Sequence, residues 1–105
     1  MIRGTTPTYT FKLSIDPEAI RSIWITFKQE MKLEDDRVLT KTMDDGVTYD
    51  GATVSLTLTQ EETLGFKENI PIEIQGKVYT TDEKVMATSI KKDDCNRILC
   101  EEVMA

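Results

Sequence analysis

Apolar and polar residues alternate in three segments of the chain, at positions 9–15, 52–59 and 70–79. Successive side chains of a β-strand point to opposite faces, so each segment has one apolar and one polar face. This alternation is typical of antiparallel sheets that are packed on one face. Together with Ile25 from a separate apolar run, the apolar positions predict a core formed by Phe11, Leu13, Ile25, Val54, Leu56, Ile72, Ile74 and Val78.

These segments and the apolar runs between them predict about seven short strands, separated by turns. The predicted strands span 8–15, 21–29, 37–43, 47–49, 52–59, 70–80 and 84–91. The second strand also has apolar residues at helical spacing, but its β-branched and aromatic residues favour a strand. Within that run, Trp24 is predicted to be a core residue. The segment 95–103 has two interpretations, a short edge strand or a tail.

Aspartate and glycine residues predict two tight turns. Asp50-Gly51 is expected to form the two-residue loop of a hairpin, because this pair tolerates the positive φ angles of a type I′ turn. Asp44-Asp45-Gly46 is expected to turn the chain between the third and fourth strands.

Two single helical turns are predicted between strands. Asp16 can cap the first turn, with Pro17 at its first helical position. Thr59 and Glu62 form a capping box at the start of the second. Gly65 is expected to end that second turn in the left-handed conformation.

The whole pattern predicts an all-β fold, an antiparallel immunoglobulin-like β-sandwich with one or two helical turns. A chain of 105 residues is expected to form one domain, spanning 1–105. Residues 93–105 are expected to be a weakly ordered C-terminal segment, because they carry four acids against one arginine and lack apolar periodicity.

The formal net charge of −6 argues against nucleic-acid binding, because a basic surface that neutralises phosphates supplies most of that affinity. No apolar run approaches the roughly 20 residues of a membrane span, and the first residues lack the apolar stretch of a signal peptide. The sequence therefore predicts a protein that is cytoplasmic when synthesised and binds neither membranes nor nucleic acid. In that compartment the thiols of Cys95 and Cys100 are expected to be free.

The residues that could carry chemistry are few. The chain has no histidine, which removes Ser-His-Asp and Cys-His nucleophiles and the commonest transition-metal ligand. The acidic doublet before Gly46 lacks the ligand spacing of a calcium loop. We therefore predict no catalytic residue, metal site or cofactor. An aromatic sugar-binding platform of Trp24, Tyr49 and Tyr79 is the alternative to packing in or near the core, which is the favoured role of Trp24.

Four blocks of the sequence resemble one family. Residues 1–11, Met-Ile-Arg-Gly-Thr-Thr-Pro-Thr-Tyr-Thr-Phe, resemble the start of small prophage-encoded proteins of Gram-positive bacteria and of the N-terminal domain of phage upper-baseplate proteins. Residues 23–29, 58–63 and 72–82 resemble further strands and turns of these proteins. The resemblance implies a small β-sandwich without enzymatic activity that acts in a virion tail or baseplate. It also implies other tail or baseplate proteins as partners, with self-association as an alternative, and the virion as a later location.

Two functional hypotheses follow. The first is a non-enzymatic structural or assembly protein, an interaction module that docks other tail components through its strand edges. The alternative is a small β-sandwich that binds a glycan or calcium. In the C-terminal segment, Ile98 and Leu99 are predicted to contact the partner, while the acidic residues stay at the rim of the contact.

Overall fold

The computed structural model describes residues 1–51 and 53–105. These residues form eight strands and a single-turn α-helix, together with short 3-10 turns at Pro17–Ala19 and Met43–Asp45. The strands and the helix are β1 (Thr8–Lys12), β2 (Ile20–Gln29), β3 (Arg37–Thr42), β4 (Thr48–Asp50), β5 (Thr53–Thr57), α1 (Gln60–Leu64), β6 (Ile72–Thr80), β7 (Val85–Ala87) and β8 (Lys91–Asp93).

The strands form two antiparallel sheets. One has the order β1-β5-β4, and the other has the order β3-β2-β6-β7, with β8 also paired to β6. The apolar faces of the sheets supply a common core, so the predicted all-β antiparallel sandwich is confirmed. The long central pair, β2 and β6, is in register from Ile23 opposite Val78 to Lys28 opposite Glu73.

All eight predicted core residues are buried. The core also contains Ile23 and Phe27 of β2 together with Val47, Leu58, Phe66 and Cys95. Trp24 was predicted in this core, and that prediction is wrong, because the side chain is 50% exposed. Ile23 and Ile25 are each 1% exposed, so the strand's twofold period directs the residue between them to the opposite face.

Two predicted strands are shorter than the alternation suggested. The segment 8–15 forms a strand only as far as Lys12, which lies opposite Thr53 at the start of β5. The segment 84–91 is divided into β7 and β8, which pair with different parts of β6. The break lies at Thr88, whose hydroxyl accepts a hydrogen bond from the Gly76 amide at 2.9 Å, and that contact replaces a backbone ladder bond.

Most of the predicted turn chemistry is present, with two differences. The Asp16 cap and the Thr59–Glu62 capping box both form as predicted. Asp50 lies within β4 opposite Thr53, so the hairpin loop begins one residue later, at Gly51 with φ +61°. Ala52, predicted to begin the next strand, lies outside the described residues.

Gly65 has a right-handed φ of −70°, so the predicted left-handed cap is wrong. Its amide bonds to the carbonyls of Glu61 and Glu62, both at 3.2 Å, and this continues the helical turn through the glycine.

The C-terminal segment is attached to the sandwich at its beginning. Cys95 is 2% exposed, and its carbonyl accepts from the Asn69 amide at 2.7 Å. Asn96 forms an isolated parallel bridge with Ile2, and the segment 95–103 contains no strand. Both cysteines are free, as predicted, with Cys100 exposed. Among the described residues, no helix has the length and hydropathy needed to cross a bilayer.

Candidate functional site

The outer face of the five-stranded sheet carries an exposed aromatic cluster. The register places Trp24 opposite Lys77, and Tyr79 opposite both Ser22 and Val85. Side chains opposite one another share a face, so these five residues form one surface, called the outer patch below. Trp24 and Val85 are 50% and 56% exposed. The patch encloses a shallow cleft of about 160 Å³.

A bulge at the start of β2 adds a positive charge to the outer patch. The register with β6 shifts between Ile20 and Ser22, and such an extra residue bends a strand and redirects its side chains. The guanidinium carbon of Arg21 lies 5.6 Å from the ring centroid of Tyr79, within the range of a cation–π contact. Arg21 and Lys77 therefore give the patch a basic border.

Farther along the same face the surface becomes polar. Thr26 and Thr40 join β2 and β3 through a hydroxyl–hydroxyl hydrogen bond of 3.1 Å. Lys28 and Glu73 lie opposite each other on β2 and β6, beside the exposed side chain of Ile90. Because these polar pairs cover the rest of the two long strands, the exposed aromatic surface of β2 and β6 is confined to the outer patch.

The structure brings together two of the three aromatic residues considered for a sugar-binding platform. Trp24 and Tyr79 lie on neighbouring strands of one face. Tyr49 lies on β4 in the other sheet, where its hydroxyl donates to the Ile15 carbonyl at 2.7 Å. Sequence reasoning identified Trp24 and Tyr79 individually and missed Val85, because adjacency across strands depends on a register that no local pattern fixes.

The acidic residues with shifted pKa values have structural partners. Asp93 accepts from the Tyr9 hydroxyl at 2.8 Å and pairs with the Met1 ammonium at 3.0 Å. Burial disfavours the Asp93 carboxylate, but these two donors outweigh burial and lower its pKa. The pKa of Tyr9 is raised, first by burial and then by the hydrogen bond to Asp93. The group joins β1 to β8 and holds no free acid or base.

The Asp44-Asp45 doublet forms the predicted turn. The Asp45 carboxylate accepts from the Thr42 amide at 3.1 Å, and Gly46 follows in the left-handed conformation with φ +96°. No group of three or more acidic, cysteine or histidine side chains able to hold a metal occurs within residues 1–51 and 53–105.

The two predicted contact residues of the C-terminal segment have different environments. Ile98 is half-buried against Gly4, where an added Cβ would come within 3.3 Å of the Ile98 side chain. Leu99 is 91% exposed. Farther along, Glu101 pairs with Arg3 at 2.9 Å and the Met104 backbone bonds to the Gln60 side chain. The interaction role of Ile98 and Leu99 stays a prediction, and Leu99 is the more accessible of the two.

Comparisons with known proteins identify no relative of this chain. No protein-family model, no curated protein and no solved structure matches the chain. The likeness to phage baseplate proteins therefore remains a prediction from the four sequence blocks described above.

Proposed function

We propose that the protein is a non-enzymatic interaction module of a phage or prophage tail or baseplate, and that the outer patch is the surface that binds its protein partner. The observation that carries this proposal is the 50% exposure of Trp24, which lies in the middle of the longest strand. Large aromatic side chains are typical anchors of protein interfaces, where they contribute much of the binding energy.

The position of Trp24 suits an anchor because its backbone is held on both sides. β2 pairs with β3 and with β6, and Trp24 lies opposite Thr42 on one strand and Lys77 on the other. A side chain on such a central strand loses little backbone freedom on binding, which favours affinity. Arg21 and Lys77 border the aromatic surface, and arginine is another residue enriched in binding hot spots.

The assignment to a tail or baseplate is supported by the resemblance of the four sequence blocks. A protein with this role is expected to be present in purified virions and to bind at least one tail or baseplate protein. Mass spectrometry of particles purified after prophage induction tests the first expectation. Co-purification with each tail protein encoded near this gene tests the second.

Substitutions connect the binding to the outer patch. Trp24→Ala is expected to weaken partner binding by about 2 kcal/mol or more, as is typical of a hot-spot residue. Leu33→Ala is the matched control, because Leu33 is 100% exposed in the connection between β2 and β3. Equal binding by Trp24→Ala and Leu33→Ala would show that the outer patch is not the interface. Absence of the protein from particles and from every tail complex would contradict the tail assignment.

The C-terminal segment supplies a second comparison. Binding is predicted to depend on Ile98 and Leu99, so Leu99→Ala is expected to reduce it while leaving stability unchanged. A chain lacking residues 95–105 is less informative, because Cys95 belongs to the core. If Leu99→Ala binds every partner like the wild type, the predicted role of this residue is wrong.

Glycan binding is the second candidate function, and the same surface favours it. Trp24 and Tyr79 lie beside Ser22 and Lys77 at the cleft of the outer patch, and aromatic rings together with a hydroxyl and an ammonium group are suited to stacking on and hydrogen bonding a sugar. Trp24 is the sole tryptophan, so its fluorescence reports directly on this site. A glycan array followed by fluorescence titration separates the two functions, because only a sugar ligand would shift the emission without a protein partner.

A further inference from the structure

A second cleft, separate from the outer patch, lies where the two sheets meet. It has a volume of about 330 Å³. Leu13 and Ile15 line one side after the end of β1, and Met86 of β7 and the following Thr88 line the other side. This region is called the inter-sheet cleft below. Its walls are largely apolar, and Met86 is 50% exposed although it lies opposite the buried Val78.

Both sides of the inter-sheet cleft are edges of sheets. Among the described residues, β1 pairs with β5 alone and β7 pairs with β6 alone. The Thr88 amide donates to the Gly76 carbonyl, and the Thr80 amide donates to the Lys84 carbonyl. Because hydrogen-bonding direction alternates along a strand, the backbone groups of Val85 and Ala87 point away from β6. β7 therefore presents an open row of donors and acceptors at the cleft.

The charges at the inter-sheet cleft are opposite in sign to the net charge of the chain. Its charged lining residues are Lys12 and Lys91, on a protein whose net charge is −6. Lys91 Nζ lies 5.0 Å from the ring centroid of Phe11. In the described part of the chain, neither lysine forms an ion pair. A ligand that carries carboxylates would complement both ammonium groups.

We propose that the inter-sheet cleft binds an extended acidic segment of a partner protein, which pairs with β7 as an additional strand. The backbone of the segment would bond to the outward groups of Val85 and Ala87. Its apolar side chains would enter the cleft, and its carboxylates would meet Lys12 and Lys91. Strand addition to an exposed edge is a recurrent mode of peptide recognition, in which the backbone gives affinity and alternate side chains give specificity.

A free amphiphilic anion such as laurate could pack its alkyl chain against the apolar wall and place its carboxylate near the two lysines. It would leave the open strand edge of β7 unpaired, so the edge favours a peptide over a small anion. The affinities of a peptide and of laurate are therefore expected to respond differently to a substitution that removes a backbone donor from the edge of β7.

Ala87→Pro is such a change. The Ala87 amide points away from β6, and a proline is tolerated at an edge position whose N–H faces outward. The substitution is therefore expected to preserve the fold and to remove one donor from the open edge. Lys12→Glu and Lys91→Glu reverse the two cleft charges. Lys32→Glu is the matched control, because Lys32 is an exposed lysine in the connection between β2 and β3, away from both proposed surfaces. A thermal melt of each variant establishes that it is folded.

The test uses the full chain labelled with ¹⁵N and two synthetic peptides of about seven residues, the length of a typical strand. One peptide is Glu-Glu-Val-Thr-Val-Glu-Glu, in which the valines and the two terminal glutamates share one face, and the other has lysine in place of every glutamate. The acidic peptide is expected to shift the amide signals of β7 and to slow hydrogen exchange at Val85 and Ala87. Lys12→Glu or Lys91→Glu should weaken binding of the acidic peptide about tenfold. Ala87→Pro should abolish this binding, and Lys32→Glu should leave it unchanged.

Several results would overturn the proposal. These are no binding of the acidic peptide, equal binding of both peptides, or acidic-peptide binding that survives Ala87→Pro in a folded protein. Laurate binding that is unaffected by Ala87→Pro, together with no binding of the acidic peptide, would assign the cleft to a small anion instead. Trp24→Ala is expected to weaken binding of the tail partner and to leave the affinity for the acidic peptide unchanged. The proposal for the inter-sheet cleft and the proposal for the outer patch can therefore fail independently.

Discussion

Gln29 is a fully buried polar residue whose loss should be costly. It is the last residue of β2 and is 0% exposed. Its amide nitrogen donates to the carbonyls of Lys67 and Ile70, both at 2.8 Å, and its oxygen accepts from the Lys67 amide at 2.8 Å. One side chain thus joins the end of β2 to the connection between α1 and β6.

The change Gln29→Met keeps the length and approximate volume of the side chain but removes all three hydrogen bonds. A hydrogen bond contributes roughly 0.5–1.5 kcal/mol net, so three of them amount to roughly 1.5–4.5 kcal/mol. The backbone groups of Lys67 and Ile70 are left without this partner, and an unpaired buried group costs more than the bond contributed, so the upper half of the range is expected. For a domain of this size, each kcal/mol lowers Tm by roughly 4–8 °C.

Urea unfolding followed by far-UV circular dichroism measures the effect. The matched control is Gln75→Met, because the Gln75 amide makes one hydrogen bond, to the Thr88 carbonyl at 2.9 Å, and is half-buried. The control is expected to lose roughly 0.5–1.5 kcal/mol. If both variants lose the same free energy at an unchanged m-value, the three contacts of Gln29 do not act as described.

Three further predictions concern the core, the thiols and acid stability. Leu56→Ala should cost about 2–5 kcal/mol in chemical denaturation, because Leu56 is 2% exposed, and a loss below about 0.5 kcal/mol would contradict its core position. Cys100 should react with a thiol reagent in the native protein, whereas Cys95 should react only after denaturation, and no reactive thiol after denaturation would reveal a disulfide. The pKa of Glu62 is lowered, because the hydrogen bond from Lys41 and the capping contact outweigh burial. The ionised Glu62 carboxylate therefore stabilises the folded protein above pH 4.5, and this stabilisation is lost as the pH falls through the lower folded pKa. Glu62→Gln should accordingly be less stable than wild type at neutral pH and equal to it in acid.

The core could be predicted from the sequence because strand period alone determines which face a residue occupies. Phe11 and Leu13, or Ile72 and Ile74, share a face whatever the partner strands are. Trp24 shows where composition and period disagree. Its apolar character favoured the core, yet a strand that buries Ile23 and Ile25 must direct Trp24 outward, and the period decided its position.

The contacts that attach the chain ends could not be predicted in this way. The Tyr9–Asp93 hydrogen bond joins residues 84 positions apart, and the Arg3–Glu101 pair spans 98 positions. Neither contact leaves a local signal in the sequence. The inter-sheet cleft likewise depends on where edge strands of two different sheets approach each other, and only the assembled fold determines that.

The two proposed surfaces share one short strand, and this has a consequence for binding. Val85 belongs to the outer patch, while the next two residues, Met86 and Ala87, line the inter-sheet cleft. β7 has three residues, all of them exposed, so it is among the elements expected to open most easily. A strand added at the cleft would hold β7 in place and thereby order Val85 for a partner at the outer patch. Coupling of this kind is reciprocal, so each ligand should raise the affinity of the other by the same factor. Titration of the outer-patch partner with and without the acidic peptide measures that factor, and equal affinities would show that β7 is already fully ordered in the free protein.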